Sequence, residues 1–153
     1  MIELKLKIPP AVVWFVVVLL MWGIDRLIPL EWLSGGFRIC IAAAAAVAGG
    51  LLGLLGILSF YRQSTTINPH KPEHTGSLVT EGVYRFSRNP MYLGLLFALV
   101  AVAIYLGNPV TAVGWILFVG YMNRFQIRPE EQMMTQKFGK AYQQYQEKVN
   151  RWI

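Results

Sequence analysis

Two long stretches without a single charged residue limit what this chain can fold into. One lies between Arg38 and Arg62, the other between Arg88 and Arg124. A bilayer's hydrocarbon core is about 30 Å thick, and about 20 apolar helical residues cross it. The first stretch fits one crossing; the second fits two short crossings joined by a turn. Charged residues make up only 14% of the chain, against roughly 25% in an ordinary soluble domain. With 153 residues, one domain is expected. The sequence therefore predicts an all-α integral membrane protein of a single domain.

The helices are expected at about 9–28, 37–61, 90–106 and 110–127, which gives about four transmembrane helices. Pro9 and Pro10 suit a helix start, where a missing N–H costs little. Gly107-Asn108-Pro109 is a strong turn signal between the last two spans. Each of those spans is short for a full crossing, so the bilayer thins there or Arg124 snorkels. Gly49, Gly53 and Gly56 recur at three and four in the second span. Such small residues let helices pack closely in lipid, and a groove for a lipid tail is the alternative. The polar loop 62–89 is long for a membrane protein that has no use for it. Beyond the last span, 129–150 reads as an amphipathic C-terminal helical segment. Pro129 suits its start, and Glu130 and Glu131 suit the positive end of its dipole. Met134, Phe138, Tyr142, Tyr145 and Val149 form its apolar stripe, and Gly139 divides it into two helices.

Net charge is +6, but the basic residues flank the spans rather than form a basic face, so nucleic acid is not an expected partner. Lys5, Lys7, the 62–89 loop and everything from Arg124 onward hold 12 of the 14 basic residues. With four spans, all of these fall on one side, and the positive-inside rule puts both termini, the loop and the C-terminal helices in the cytoplasm. The N-terminal apolar run is long for a signal peptide and lacks a nearby cleavage site, so it reads as a first anchor. Cys40 is the only cysteine, which excludes an intrachain disulfide. His70 and His74 have the spacing of a helical metal pair, but Pro72 between them breaks such a helix; no metal site is expected.

Candidate chemistry gathers at the cytoplasmic face. Asn89 is a suitable N-cap and Pro90 a suitable first helical residue, and the free N–H groups of that helix end suit a carboxylate. Asn89 and Tyr92, three apart, face one ligand. An ordinary membrane-helix start with an interfacial tyrosine is the plain alternative. Glu131 shares the apolar stripe, so it points inward and needs a cation, hydroxyl or basic partner. Dipole stabilisation with a surface salt bridge is the plain alternative there.

The strings LVTEGVYRFSRNPMYLG from Leu78, PEEQ from Pro129 and FGKAYQQY from Phe138 closely resemble the isoprenylcysteine carboxyl methyltransferase family and its phospholipid methyltransferase relatives. The stretch TTINPHKP, ending at Pro72, resembles the bacterial branch. The likeness covers about Thr65 to Trp152. It implies an S-adenosylmethionine-dependent methyltransferase of a bacterial cytoplasmic membrane, with the cofactor bound without a Rossmann fold. It further implies cofactor contacts from Ser77, Leu78, Val79 and Tyr84 in the loop, from Asn89, Pro90, Met91 and Tyr92 at the third helix start, and from Glu130 and Glu131. Eukaryotic members usually carry His where this chain has Asn89, which puts an acid–base role there in doubt. An arginine near the last span holds the substrate carboxylate in the isoprenylcysteine enzymes. Here Gln126 falls at the ungapped position, so Arg124 and Arg128 are the candidates, and positive-inside anchoring is the plain alternative for both.

The chemistry of such a cofactor agrees with this set. Carboxylates suit its ammonium or ribose hydroxyls, a helix N-terminus suits its carboxylate, and tyrosine rings suit its adenine and sulfonium. Methyl transfer asks the protein mainly to align the acceptor and exclude water. The acceptor is expected to be a lipophilic small molecule or lipid: a prenyl-type carboxylate, a lipid amine or a thiol. The alternative is a non-catalytic membrane module that keeps the fold to bind a lipid or a partner.

Overall fold

A computed structural model describes residues 6–33, 35–62 and 78–153. Among them every regular element is helical. Helix α1 spans Pro10–Leu27, α2 Gly36–Arg62 and α3 Pro90–Leu106; a 3-10 turn, Gly82–Arg85, precedes α3. A second 3-10 turn, Pro109–Ala112, leads into α4, Val113–Tyr121. α5 is Arg128–Phe138 and α6 is Lys140–Lys148. Ser77, the stretch ending at Pro72, His70 and His74 lie outside the described residues.

Helices α1 and α2 are long and apolar enough to cross a membrane, and α3 is a shorter apolar helix. α1 and α2 are mostly exposed, and Phe15, Trp22, Val47, Leu51 and Ile116 turn outward. A soluble protein rarely displays so much apolar surface, whereas lipid accepts it. α3 has 17 residues, about 25 Å of rise, which is short of a hydrocarbon core.

Inside, Val13, Val17 and Met21 of α1 meet Leu99 and Ala103 of α3 and Phe118 of α4. The closest approaches are made by glycines. A Cβ on Gly94 of α3 would lie 2.6 Å from the Gly49 carbonyl oxygen and 3.0 Å from the Gly53 nitrogen. A Cβ on Gly56 would lie 2.8 Å from Met91 Cγ. Gly49 and Gly56 are thus covered by α3, while Gly53 meets Gly94 through its backbone and its own Cβ position is open. With no hydrophobic force between helices in lipid, this backbone-to-backbone approach supplies the attraction through dispersion.

α3 ends on Gly107, whose φ of 69° is a left-handed cap, a conformation glycine adopts without steric cost. Next to it Asn108 is fully occupied. Its amide donates to Asp25 Oδ1 (3.1 Å) and the Ile28 carbonyl (2.7 Å), and its Oδ1 accepts from Val110 N (3.1 Å).

The helix was not expected to continue through Pro129, yet it does. A π-helical turn, Met122–Ile127, joins α4 to α5 without a break, and Pro129 lies inside the first turn of α5. Proline removes one helical N–H and crowds the carbonyl four residues earlier. The wider turn relieves that crowding, and the carbonyl concerned, that of Phe125, accepts from Leu6 N at 3.1 Å. Gly139, at φ 52°, separates α5 from α6. α6 folds back so that Tyr142, Tyr145 and Val149 pack with Leu78, Met134 and Phe138.

Candidate functional site

The start of α3 and the π-turn/α5 junction meet at one cluster of polar side chains. Tyr92 is buried in the first turn of α3, and its hydroxyl donates to Glu130 Oε1 at 2.6 Å. Gln126, 1% exposed, donates its amide to the same oxygen at 2.6 Å and to Tyr92 Oη at 3.3 Å. Positions 126 and 130 are one helical turn apart, so both reach one spot. Both bonds fall on Oε1, and both partners are neutral. Burial is the main cause that pushes the Glu130 carboxyl up to about 7; Tyr92 and Gln126 oppose the shift, and the nearby Glu131 adds to it.

Glu131, the next residue, has the opposite surroundings. Arg151 holds it with Nε at 3.1 Å from Oε1 and Nη2 at 2.6 Å from Oε2. Arg88 Nη2 lies 3.1 Å from Oε1 as well. The pair with Arg151 raises that guanidinium's already high pKa. Two adjacent carboxylates on one turn thus meet two environments, one polar with no cation among the described residues and the other doubly cationic.

The segment after α6 closes this arrangement. Asn89 Nδ2 donates to the Arg151 carbonyl at 3.0 Å, and Arg88 N donates to the Asn150 carbonyl at 3.0 Å. Trp152 Nε1 donates to Asn123 Oδ1 on the π-turn at 3.1 Å. Asn89 stands at the N-cap position of α3, yet its side chain makes no capping bond. A capping bond would be accepted by Oδ1; the amide is instead oriented by its Nδ2 donating to the Arg151 carbonyl. The buried Ser87 hydroxyl accepts from Asn89 N at 3.1 Å.

The other expected site residues are placed as follows. Tyr84 is buried, packs edge-on against Phe60 of α2 with ring centroids 5.5 Å apart, and its carbonyl accepts from Tyr145 Oη at 2.7 Å. Burial pushes its hydroxyl pKa well up. Val79 and Pro90 are buried, Leu78 joins the α6 tyrosines, and Met91 leans on Gly56. Arg124 and Arg128 are exposed. Arg124 lies over the Phe125 ring at 5.7 Å. Arg128 borders an open polar groove of about 760 Å³ together with Glu131, Thr135, Gln146 and Arg151.

Three residues of the cluster were not foreseen as part of it. Gln126 was legible from its four-residue spacing to Glu130. Arg88 lies inside the quoted string but looks like one more interfacial cation. Arg151 has no local signal, because only the turn at Gly139 returns it to Glu131.

With this geometry, the chain's likeness to known proteins has a physical setting. The phospholipid methyltransferase family pattern matches residues 37–141. The chain belongs to that family. The match covers well over half of the sequence, including α2, α3, the π-turn and Glu130–Glu131. The chain is also 36% identical over 104 residues to protein-S-isoprenylcysteine O-methyltransferase A of Arabidopsis thaliana, covering 67% of this chain and 52% of that protein. To protein-S-isoprenylcysteine O-methyltransferase of Xenopus laevis it is 34% identical over 120 residues, covering 78% of this chain and 40% of that protein. The aligned part thus spans about half the length of these relatives or less. An uncharacterized protein of Haemophilus influenzae is 44% identical over 63 residues, covering 41% of this chain and all of that protein.

Proposed function

We propose that this chain is a membrane-embedded methyltransferase that uses S-adenosylmethionine and acts on a lipophilic acceptor. Family membership supports the class of reaction. The observation that carries the assignment to a site is the convergence of Tyr92 and Glu130, 2.6 Å apart and 38 residues apart in sequence. Four spans, with both termini, the 62–89 loop and α5–α6 on the cytoplasmic side of a bacterial inner membrane, is the topology proposed with it, on the distribution of Lys and Arg.

The residues fit the cofactor by the chemistry of the donor set. Glu130 is a carboxylate with only neutral partners, which suits a sulfonium or an ammonium, and its Oε2 is left for that contact. When bound, the cofactor supplies a methyl group on a positively charged sulfur. Glu130 would hold that end, with Tyr92 and Gln126 fixing its Oε1. Leu78, Val79, Tyr84, Asn89, Pro90 and Met91 are the proposed walls, with Ser77 added on the resemblance alone. Because the Glu130 carboxyl titrates near neutral pH, it can also take a proton from an amine or thiol acceptor. Arg128, on the groove beside Glu131, and Arg124 are proposed to orient the acceptor. A carboxylate, an amine and a thiol all remain proposed acceptor classes.

Transfer of labelled methyl from S-adenosylmethionine into lipid extracts, with identification of the product, tests the reading. A labelled lipophilic product is expected. No transfer and no calorimetric affinity for S-adenosylhomocysteine, with the fold intact, contradicts it. One observation favours a second reading, a non-catalytic module: Arg151 occupies Glu131 with its side chain and Asn89 with its carbonyl. That module would show the intact fold without cofactor affinity.

A further inference from the structure

Arg88 carries more donor capacity than the fold uses. Its side chain is 11% exposed, and its buried Nε and Nη1 have no hydrogen-bond partner among the described residues. Only Nη2 is engaged, with Glu131 at 3.1 Å. Glu131 does not need it: the Arg151 fork already matches both carboxylate oxygens. Nor does the backbone depend on this side chain, since Arg88 N is fixed by the Asn150 carbonyl. A buried guanidinium with idle donors is costly unless something accepts from it.

The charges around it specify what that acceptor is. Among the described residues two guanidiniums face one carboxylate, a surplus of one positive charge in this half of the cluster. The second acid, Glu130, is turned to Tyr92 and Gln126. Tyr142 is close enough for the Arg88 charge to act on its hydroxyl, though burial dominates and pushes that group up to about 12. It stays neutral and does not balance the charge. A singly charged carboxylate balances the surplus; a phosphate dianion overshoots it next to Glu131. Guanidinium–carboxylate contacts are among the strongest charge-assisted hydrogen bonds.

We propose that Arg88 is a ligand-binding residue, whose idle Nε and Nη1 recognise a carboxylate group beside Glu131. The inference rests on the methyltransferase reading, and two sources supply the group: the amino-acid end of the cofactor or the acidic head of the acceptor. In the first case one zwitterion spans the cluster, with its cation at Glu130 and its anion at Arg88.

The test is calorimetry on the purified full chain in detergent, with Arg88→Met and Arg88→Lys compared to the unaltered protein. The probes are S-adenosylhomocysteine, methylthioadenosine (which lacks the amino-acid end), and a farnesyl thioether carboxylic acid with its amide. If the cofactor supplies the carboxylate, Arg88→Met weakens S-adenosylhomocysteine by about tenfold to a hundredfold and leaves methylthioadenosine within about threefold. If the acceptor supplies it, both nucleosides are unaffected and the preference for the farnesyl acid over its amide disappears. Arg88→Lys restores part of the lost affinity in either case. Equal weakening of S-adenosylhomocysteine and methylthioadenosine, or no change with any probe, overturns the proposal. Should both variants fail to fold, the unaltered protein decides: it must bind S-adenosylmethionine at least about tenfold better than the decarboxylated form, or the farnesyl acid better than the amide by that margin. Failure of the unaltered protein to bind S-adenosylhomocysteine sinks the methyltransferase reading itself, and is seen before any variant is made.

Discussion

Helix α3 has a polar cluster at each end, and the two are built on different terms. At the Gly107 end, Asn108 and Thr111 are buried, and every polar atom of the Asn108 side chain is used, by the Asp25 carboxylate, the Ile28 carbonyl and Val110 N. At the Tyr92 end, a carboxylate has no cation, a guanidinium has two idle nitrogens, and two arginines compete for one glutamate. The Asn108 side chain is complete without a ligand and ties the end of α1 to the turn after α3; Arg38, packed on Gly107, has Nη1 on Glu31 and the Leu33 carbonyl and one nitrogen, Nε, without a partner among the described residues. The second is unbalanced in charge and donors, as a binding site is before its ligand arrives. Neither buried polarity nor one idle nitrogen marks function by itself; idle donors beside an unbalanced buried charge do.

Glu131→Ala strikes the second cluster hardest. It is expected to lower S-adenosylhomocysteine affinity by at least about a hundredfold, since Arg88 and Arg151 lose the carboxylate that holds them in place. It is also expected to lower stability by about 2–3 kcal/mol, less than a fully buried pair would, because Arg151 is partly exposed. Calorimetry and thermal unfolding read the two effects separately. Affinity preserved in Glu131→Ala would remove the contrast between the two ends of α3.

Asn108→Ala probes the first cluster. Loss of three buried hydrogen bonds is expected to cost about 2–4 kcal/mol, with ligand affinity unchanged at temperatures where the variant is folded. A change in affinity would show that the two ends are coupled.

The pH response of Glu130 sharpens the comparison further. Its carboxyl pKa rises from an ordinary 4.5 to about 7 on folding, so between those values the folded state binds more protons than the unfolded one. Stability is therefore full below pH 4.5 and declines as pH rises through 7, by up to about 3 kcal/mol. Glu130→Gln is expected to flatten that slope. Affinity for a cationic ligand moves the other way, rising through pH 7 as Glu130 ionises. Chemical unfolding and calorimetric titrations across pH 5–9 check both signs.

The smallest effect is expected from Arg124→Gln. Exposed and lying over the Phe125 ring, Arg124 should contribute under about 0.5 kcal/mol to stability. Unchanged acceptor KM in that variant leaves Arg128 as the orienting candidate.

Much of this was readable in the sequence because it depends on local chemistry. Pro10, Pro90, Gly107 and Gly139 mark helix ends through dihedral preference and lost donors. Gly49, Gly53 and Gly56 announce close packing by spacing. The pairing of Tyr92 with Glu130 came from resemblance and needed the fold to become a distance. The π-turn was not legible: Pro129 looks like a helix start, and only the freed Phe125 carbonyl and its Leu6 partner explain how the helix continues. Arg151 was not legible either, since its role depends on a reversal at Gly139. Asn89 is the N-cap residue of α3, as expected, but its side chain makes no capping bond, and its tertiary partner, the Arg151 carbonyl, could not be read from the sequence.

Photo-crosslinking of isotope-labelled S-adenosylmethionine to the full chain, followed by peptide mapping, tests the shared site most directly. The account predicts label on the peptide containing Tyr92 and on the peptide containing Gln126 to Glu131, both displaced by S-adenosylhomocysteine. Displaceable label confined to α1 or to the Gly107 end of α3, with neither of those peptides marked, would contradict it.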